Sequence, residues 1–155
     1  MEQEFTIYGF TTRTNNKFEF EKRQDGHIAK LWNQFFQENI TAQIPEQDGH
    51  EIIAVYSNYE TDYRGDYDYT IGIKSRSTAD VTGLQKLIVQ AGKYLTLQSD
   101  RGPIYSVVPT LWTKVWDMND KEIGGPRAYS TDYEVYGDEA KDPNNSVVFL
   151  KLGYK

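Results

Sequence analysis

The chain has 155 residues, a formal net charge of −6 and a pI near 4.9. It contains no cysteine, which excludes disulfides, thiolate metal sites and a thiol nucleophile. Its acidity, with no basic cluster longer than Lys22-Arg23, argues against a nucleic-acid surface.

No stretch approaches the ~20 apolar residues of a membrane span. The opening Met1-Glu2-Gln3-Glu4-Phe5 has neither the basic nor the apolar region of a leader. A soluble cytoplasmic protein is therefore expected. Phe5 to Thr12 alternates loosely and predicts a first strand, with Phe18–Glu21 as its candidate partner. Residues 26–38 carry apolar side chains at i, i+3, i+4, i+7 and i+8, which predicts a helix with Asp25 as N-cap. Residues 51–57 and 67–75 predict strands joined by a tyrosine-rich connection, while 85–90 are ambiguous. Residues 93–100 predict a further strand. Residues 107–118 predict a second helix, with Ser106 as cap and Pro109 in the first turn, where a missing N–H is tolerated. Gly124-Gly125-Pro126 marks a turn, and 128–136 and 146–153 close the chain as strands.

One shift of 80 residues carries Ile28, Leu31, Trp32, Phe35 and Phe36 onto Val108, Leu111, Trp112, Val115 and Trp116. The same shift carries Val55-Tyr56 onto Val135-Tyr136 and Tyr69 onto Phe149. The chain thus reads as one strand–helix–strand–strand unit used twice, in half-units of roughly 1–80 and 81–155 within a single domain over 1–155. The expected fold class is α+β, with pseudo-twofold symmetry, an antiparallel sheet and a central ligand cleft. Strand alternation puts Ala54 and Tyr56 on one face of the first copy, and Asp132, Glu134 and Tyr136 on the matching face of the second. One position breaks the repeat chemically, because Ala54 corresponds to Glu134.

A carboxylate among aromatic rings suits a cationic or protonatable ligand, whose charge offsets the desolvation of the acid. The plainer alternative is a solvated strand glutamate paired with a lysine. With 12 tyrosines in the chain, Tyr56, Tyr69 and Tyr136 are candidate walls, and Tyr59, Tyr63 and Tyr67 a candidate lid. The tryptophans fit the helix stripes as core, with Trp112 and Trp116 able to show an edge to the groove. Arg64-Gly65-Asp66 reads as a turn rather than an adhesion signal, and the sequons at Asn39 and Asn144 need a secretory context that is not expected. His27 and His50 are isolated, so no metal site is expected.

These residues resemble the GyrI-like, or AraC-type effector-binding, domain. The resemblance rests on His27 to Trp32, Ala54-Val55-Tyr56, Tyr69 to Gly72 and Gly92-Lys93-Tyr94. It is most specific at Trp116, Asp132 to Tyr136 and the closing Val147–Leu152 strand, and it covers nearly the whole chain. It implies a duplicated fold around a cleft, with the carboxylate of Glu134 inside it. Relatives sense lipophilic, often cationic compounds as effector domains of multidrug-responsive activators. Some free-standing relatives hydrolyse cyclopropane-bearing toxins, and others are linked with protection of DNA gyrase. No helix-turn-helix unit precedes the strand at Phe5, so direct DNA binding is not expected.

The first expectation is a stand-alone binder of amphipathic, cationic aromatic compounds. Its ligand-binding residues would be Glu134, Tyr56, Tyr69, Trp112, Trp116 and Tyr136, with no cofactor, nucleic acid or membrane partner. The second is a hydrolase of electrophilic toxins with Glu134 as general base. The third is an interaction protein such as a gyrase modulator. The residues alone leave these three open.

Overall fold

The computed structural model describes all 155 residues. Strands β1 (Phe5–Asn15), β2 (Gln47–Ser57), β3 (Asp66–Ser75), β4 (Gln85–Val89), β5 (Lys93–Gln98), β6 (Arg127–Tyr136) and β7 (Phe149–Tyr154) form one sheet. Its order is β4-β1-β3-β2-β6-β7-β5, and every described pairing is antiparallel. Helices α1 (Asn16–Lys22), α2 (His27–Glu38), α3 (Ile104–Trp116) and α4 (Asp120–Ile123) complete the α+β fold.

The duplication is visible in the pairing itself. Ala54 lies directly opposite Glu134 in the β2–β6 ladder, and the two are also related by the shift of 80. A residue paired with its own repeat mate lies on the symmetry axis. The flanking pairs Tyr56–Asp132 and Ile52–Tyr136 exchange under the same operation. Glu134 is therefore placed at the centre of the molecule by register alone.

β4 and β5 occupy opposite edges of the sheet, yet only Gln90–Gly92 joins them. Six strand spacings in a flat sheet would separate these edges by about 29 Å. The short connection reaches at most about 14 Å, so the sheet must roll up. Gly9 faces Gly72 across β1 and β3, and a Cβ on Gly9 would collide with the carbonyl oxygen of Ile71. The roll encloses a small apolar cluster of Ile7, Ile53, Val55, Val89 and Tyr133. The other face carries the main core, including Leu31 and Phe35 of α2 and Leu111, Trp112 and Val115 of α3.

Several sequence expectations are corrected. Phe18–Glu21 belongs to α1, not to a strand beside β1, because the Asn15 side chain caps that helix by accepting from the Phe18 amide at 2.8 Å. Asp25 does not cap α2. Gly26 holds the N-cap position, and the carboxylate of Glu19 accepts from the amides of His27 and Ile28 at 3.1 Å each. α3 begins at Ile104, so Ser106 and Pro109 lie inside it. Pro109 has no N–H for the carbonyl of Tyr105, an exposed residue where water can serve instead. Residues 85–90 resolve mainly as β4, which follows residue 80 yet pairs with β1.

Glu19→Ala removes both acceptors from the start of α2. A loss of about 1–2 kcal/mol is expected, read as a lower denaturation midpoint at unchanged slope. A variant as stable as the wild type would mean that water satisfies these amides equally well.

Candidate functional site

A cavity of about 590 Å³ opens between the rolled sheet and the helices. Strand parity builds its floor, because Tyr56 of β2, Tyr67 and Tyr69 of β3, and Glu134 and Tyr136 of β6 all turn to the helix face. The helix stripes build its walls, with Ile28 and Trp32 from α2 facing Val108, Trp112 and Trp116 from α3. A volume of this size falls in the range of drug-sized ligand sites.

Glu134 is 1% exposed. Its Oε2 accepts from the Tyr56 hydroxyl at 2.7 Å and the Trp112 indole Nε1 at 2.7 Å, and its Oε1 accepts from the Tyr136 hydroxyl at 2.6 Å. All three donors are neutral. Burial pushes the Glu134 carboxyl above its ordinary range, while the three hydrogen bonds pull it back. Burial and the adjacent carboxylate raise the Tyr56 and Tyr136 hydroxyls far above theirs, so both remain donors at neutral pH. The solvated, lysine-paired glutamate is thus not what the fold makes of this position.

Two residues away on the same face, Asp132 is also buried, in different company. Its Oδ2 accepts from Arg127 at 2.7 Å and from the Tyr59 hydroxyl at 2.5 Å, and its Oδ1 from the Gly153 amide at 2.8 Å. Burial pushes the Asp132 carboxyl up, and Arg127 opposes this most strongly. Asp132 and Arg127 cancel each other's charge, which leaves Glu134 as the buried acid without a cation. Tyr59→Phe removes one donor to the Asp132 carboxylate and should cost about 1.5–3 kcal/mol of stability. Chemical denaturation checks this, and a loss under 0.5 kcal/mol (on the order of measurement error) would mean that Arg127 and Gly153 suffice.

A family model, the GyrI-like small molecule binding domain, matches residues 1–151. The chain belongs to the GyrI-like family. YobU of Bacillus subtilis strain 168, whose name places it provisionally among transcriptional regulators, is 26% identical over 149 residues. That match covers 95% of this chain and 90% of YobU. An integron cassette protein from the mobile metagenome of Vibrio cholerae superposes with a TM-score of 0.76 at 29% identity, over 99% of this chain and 92% of its own. SAV2435, solved bound to tetraphenylphosphonium, superposes with a TM-score of 0.77 at 18% identity, over 99% and 90% of the two chains. At that identity the likeness to SAV2435 is one of fold. No helix in this GyrI-like chain is long and apolar enough to cross a membrane.

The GyrI-like fold brings all six residues singled out in the sequence to one cavity: Glu134, Tyr56, Tyr69, Trp112, Trp116 and Tyr136. Tyr59 and Tyr63 of the β2–β3 connection also border it, and the Tyr63 ring stacks on Trp116 at 5.6 Å. Tyr67 lies within β3 and is 1% exposed, so it is a wall rather than a lid. Sequence reasoning passed over Trp32, whose indole donates to the Tyr69 hydroxyl at 2.9 Å and whose ring meets Tyr136 edge-on at 4.8 Å. The shift of 80 could have found it, since Trp32 is the repeat mate of Trp112. Arg127 had no comparable signal. A register irregularity between Arg127 and Asp132 breaks the alternation by which the strand's faces are read.

Proposed function

We propose that the chain captures amphipathic, cationic aromatic small molecules in this cavity, with Glu134 as the charge anchor. The observation that carries the reading is a buried carboxylate with three neutral donors and no cation, at the floor of an aromatic cavity. Burying a carboxylate without a counter-charge is unfavourable, and an incoming cation supplies that charge. The rings of Tyr56, Tyr69, Trp112, Trp116 and Tyr136 offer flat apolar area and cation–π attraction of roughly 0.5–2 kcal/mol per favourable ring. Trp32 and Tyr67 extend the same wall. Micromolar affinity requires about −8 kcal/mol, which buried aromatic area and one desolvated ion pair can supply. The tetraphenylphosphonium complex of SAV2435 lends support, as a lipophilic cation held by the same fold.

The test is calorimetric titration with tetraphenylphosphonium and with an uncharged aromatic ligand of similar size. The reading requires saturable one-to-one binding that strongly favours the cation, with the ligand recovered unchanged. Equal affinity for both would overturn the anchoring role. Conversion of an electrophilic ligand to product, abolished by Glu134→Gln, would favour the hydrolase reading instead.

A further inference from the structure

Across the whole chain, two buried side-chain nitrogens have no protein hydrogen-bond acceptor: Nε1 of Trp116 and Nε of Arg127. Both residues border the same cavity. Buried polar groups in native folds are nearly always paired, so each orphan calls for an explanation. Finding both among the residues that border one cavity points to a shared one. Trp112 lies near both, with the Arg127 guanidinium 5.8 Å from its ring centre and the Trp116 ring centre 6.5 Å away.

The cover over Trp116 is light. Phe20 meets its ring edge-on at 5.6 Å and Tyr63 stacks on it at 5.6 Å. Phe20 is itself 40% exposed, and α1, which carries it, buries none of its residues. Moving that ring aside gives up the part of its surface that covers Trp116, and a ligand's own aromatic surface can take its place. Glu134 offers only acceptor oxygens to a ligand, whereas Trp116 offers only a donor. The two ends of the site thus ask for different chemistry.

We infer that the Trp116 indole N–H is a second, uncharged anchor that selects cations also bearing a neutral acceptor oxygen, such as a carbonyl or ether. This rests on the cation-capture reading above and narrows its ligand class. Arg127 is already committed to Asp132 through its guanidinium and is no part of this anchor.

The experiment compares two permanent aromatic cations that differ only in a carbonyl in place of a methylene. The wild type should prefer the carbonyl-bearing cation by roughly three- to tenfold, the worth of one net hydrogen bond. Trp116→Phe should abolish that preference. Glu134→Gln should weaken both cations by the same factor and leave their ratio intact. In the unmutated protein, the Trp116 indole N–H proton resonance should move downfield with the carbonyl-bearing cation and not with its partner. Equal wild-type affinities, or a preference that survives Trp116→Phe, would overturn this inference while sparing the Glu134 anchor. Failure of both cations to bind would overturn the two readings together.

Discussion

Replacing Glu134 by Gln is expected to lower affinity for tetraphenylphosphonium by roughly 30- to 100-fold, about 2–3 kcal/mol. The substitution keeps the length and planarity of the side chain but removes its charge. A Gln oxygen can still accept from Tyr56 and Trp112, and the Tyr136 hydroxyl can rotate to accept from the new amide. The fold should therefore survive. Its stability at neutral pH should be unchanged or slightly higher, because a buried charge with no cation has been removed. Affinity for an uncharged aromatic ligand should change less than threefold (a few tenths of a kcal/mol). Calorimetry with both ligands reads the two effects side by side. Parallel losses for the two would mean that the substitution damages cavity shape and that Glu134 does not read charge.

Ala54→Glu is expected to cost about 4 kcal/mol at neutral pH, through like-charge repulsion and burial of a second unpaired carboxylate. It makes the repeat chemically symmetrical, placing two carboxyl groups across one rung of the β2–β6 ladder at the axis. Their Cβ atoms would stand about 4.5–5.5 Å apart. The burden should shrink on acidification, because a single proton relieves the repulsion. Moving the acid instead of doubling it, with Ala54→Glu and Glu134→Ala together, should recover most of the loss. Tyr56 and Tyr136 exchange under the twofold, and Trp32 then stands where Trp112 stands for Glu134. Thermal unfolding of the three variants distinguishes these cases. If the relocated acid is as destabilising as the doubled one, the two halves of the site are not equivalent.

The chemistry of the site was legible wherever one periodicity held without interruption. Alternation along β6 assigned Glu134 and Tyr136 to one face, and the 80-residue shift exposed Glu134 as the odd member of its pair. Legibility ended where tertiary contacts overrode local pattern. Phe18 and Phe20 alternate as in a strand, but the Asn15 cap and the packing of Phe18 on His27, at 4.4 Å between ring centres, make α1 a helix. The start of α2 is capped from eight residues upstream by Glu19, and no local signature for that exists. The cation that neutralises Asp132 sits beyond an irregular register, so its direction could not be read by counting.

The central claim is that Glu134 is a buried carboxyl whose missing counter-charge is supplied by the ligand. It is tested most directly by the titration of its side-chain carbon in NMR spectra, in the free protein and with tetraphenylphosphonium bound. Free, the carboxyl should titrate above the ordinary value near 4.3, because burial disfavours its charged form. The folded state then holds its proton more tightly than the unfolded chain, so this group's contribution to stability falls as pH rises between the two values. Bound, the cation favours the carboxylate, so the titration should move to lower pH and binding should release a proton near the free value. Affinity for the cation should accordingly weaken on acidification through that value, and affinity for an uncharged ligand should not. A Glu134 carboxyl that titrates below 4 in the free protein, or at the same pH with and without the cation, would contradict the account.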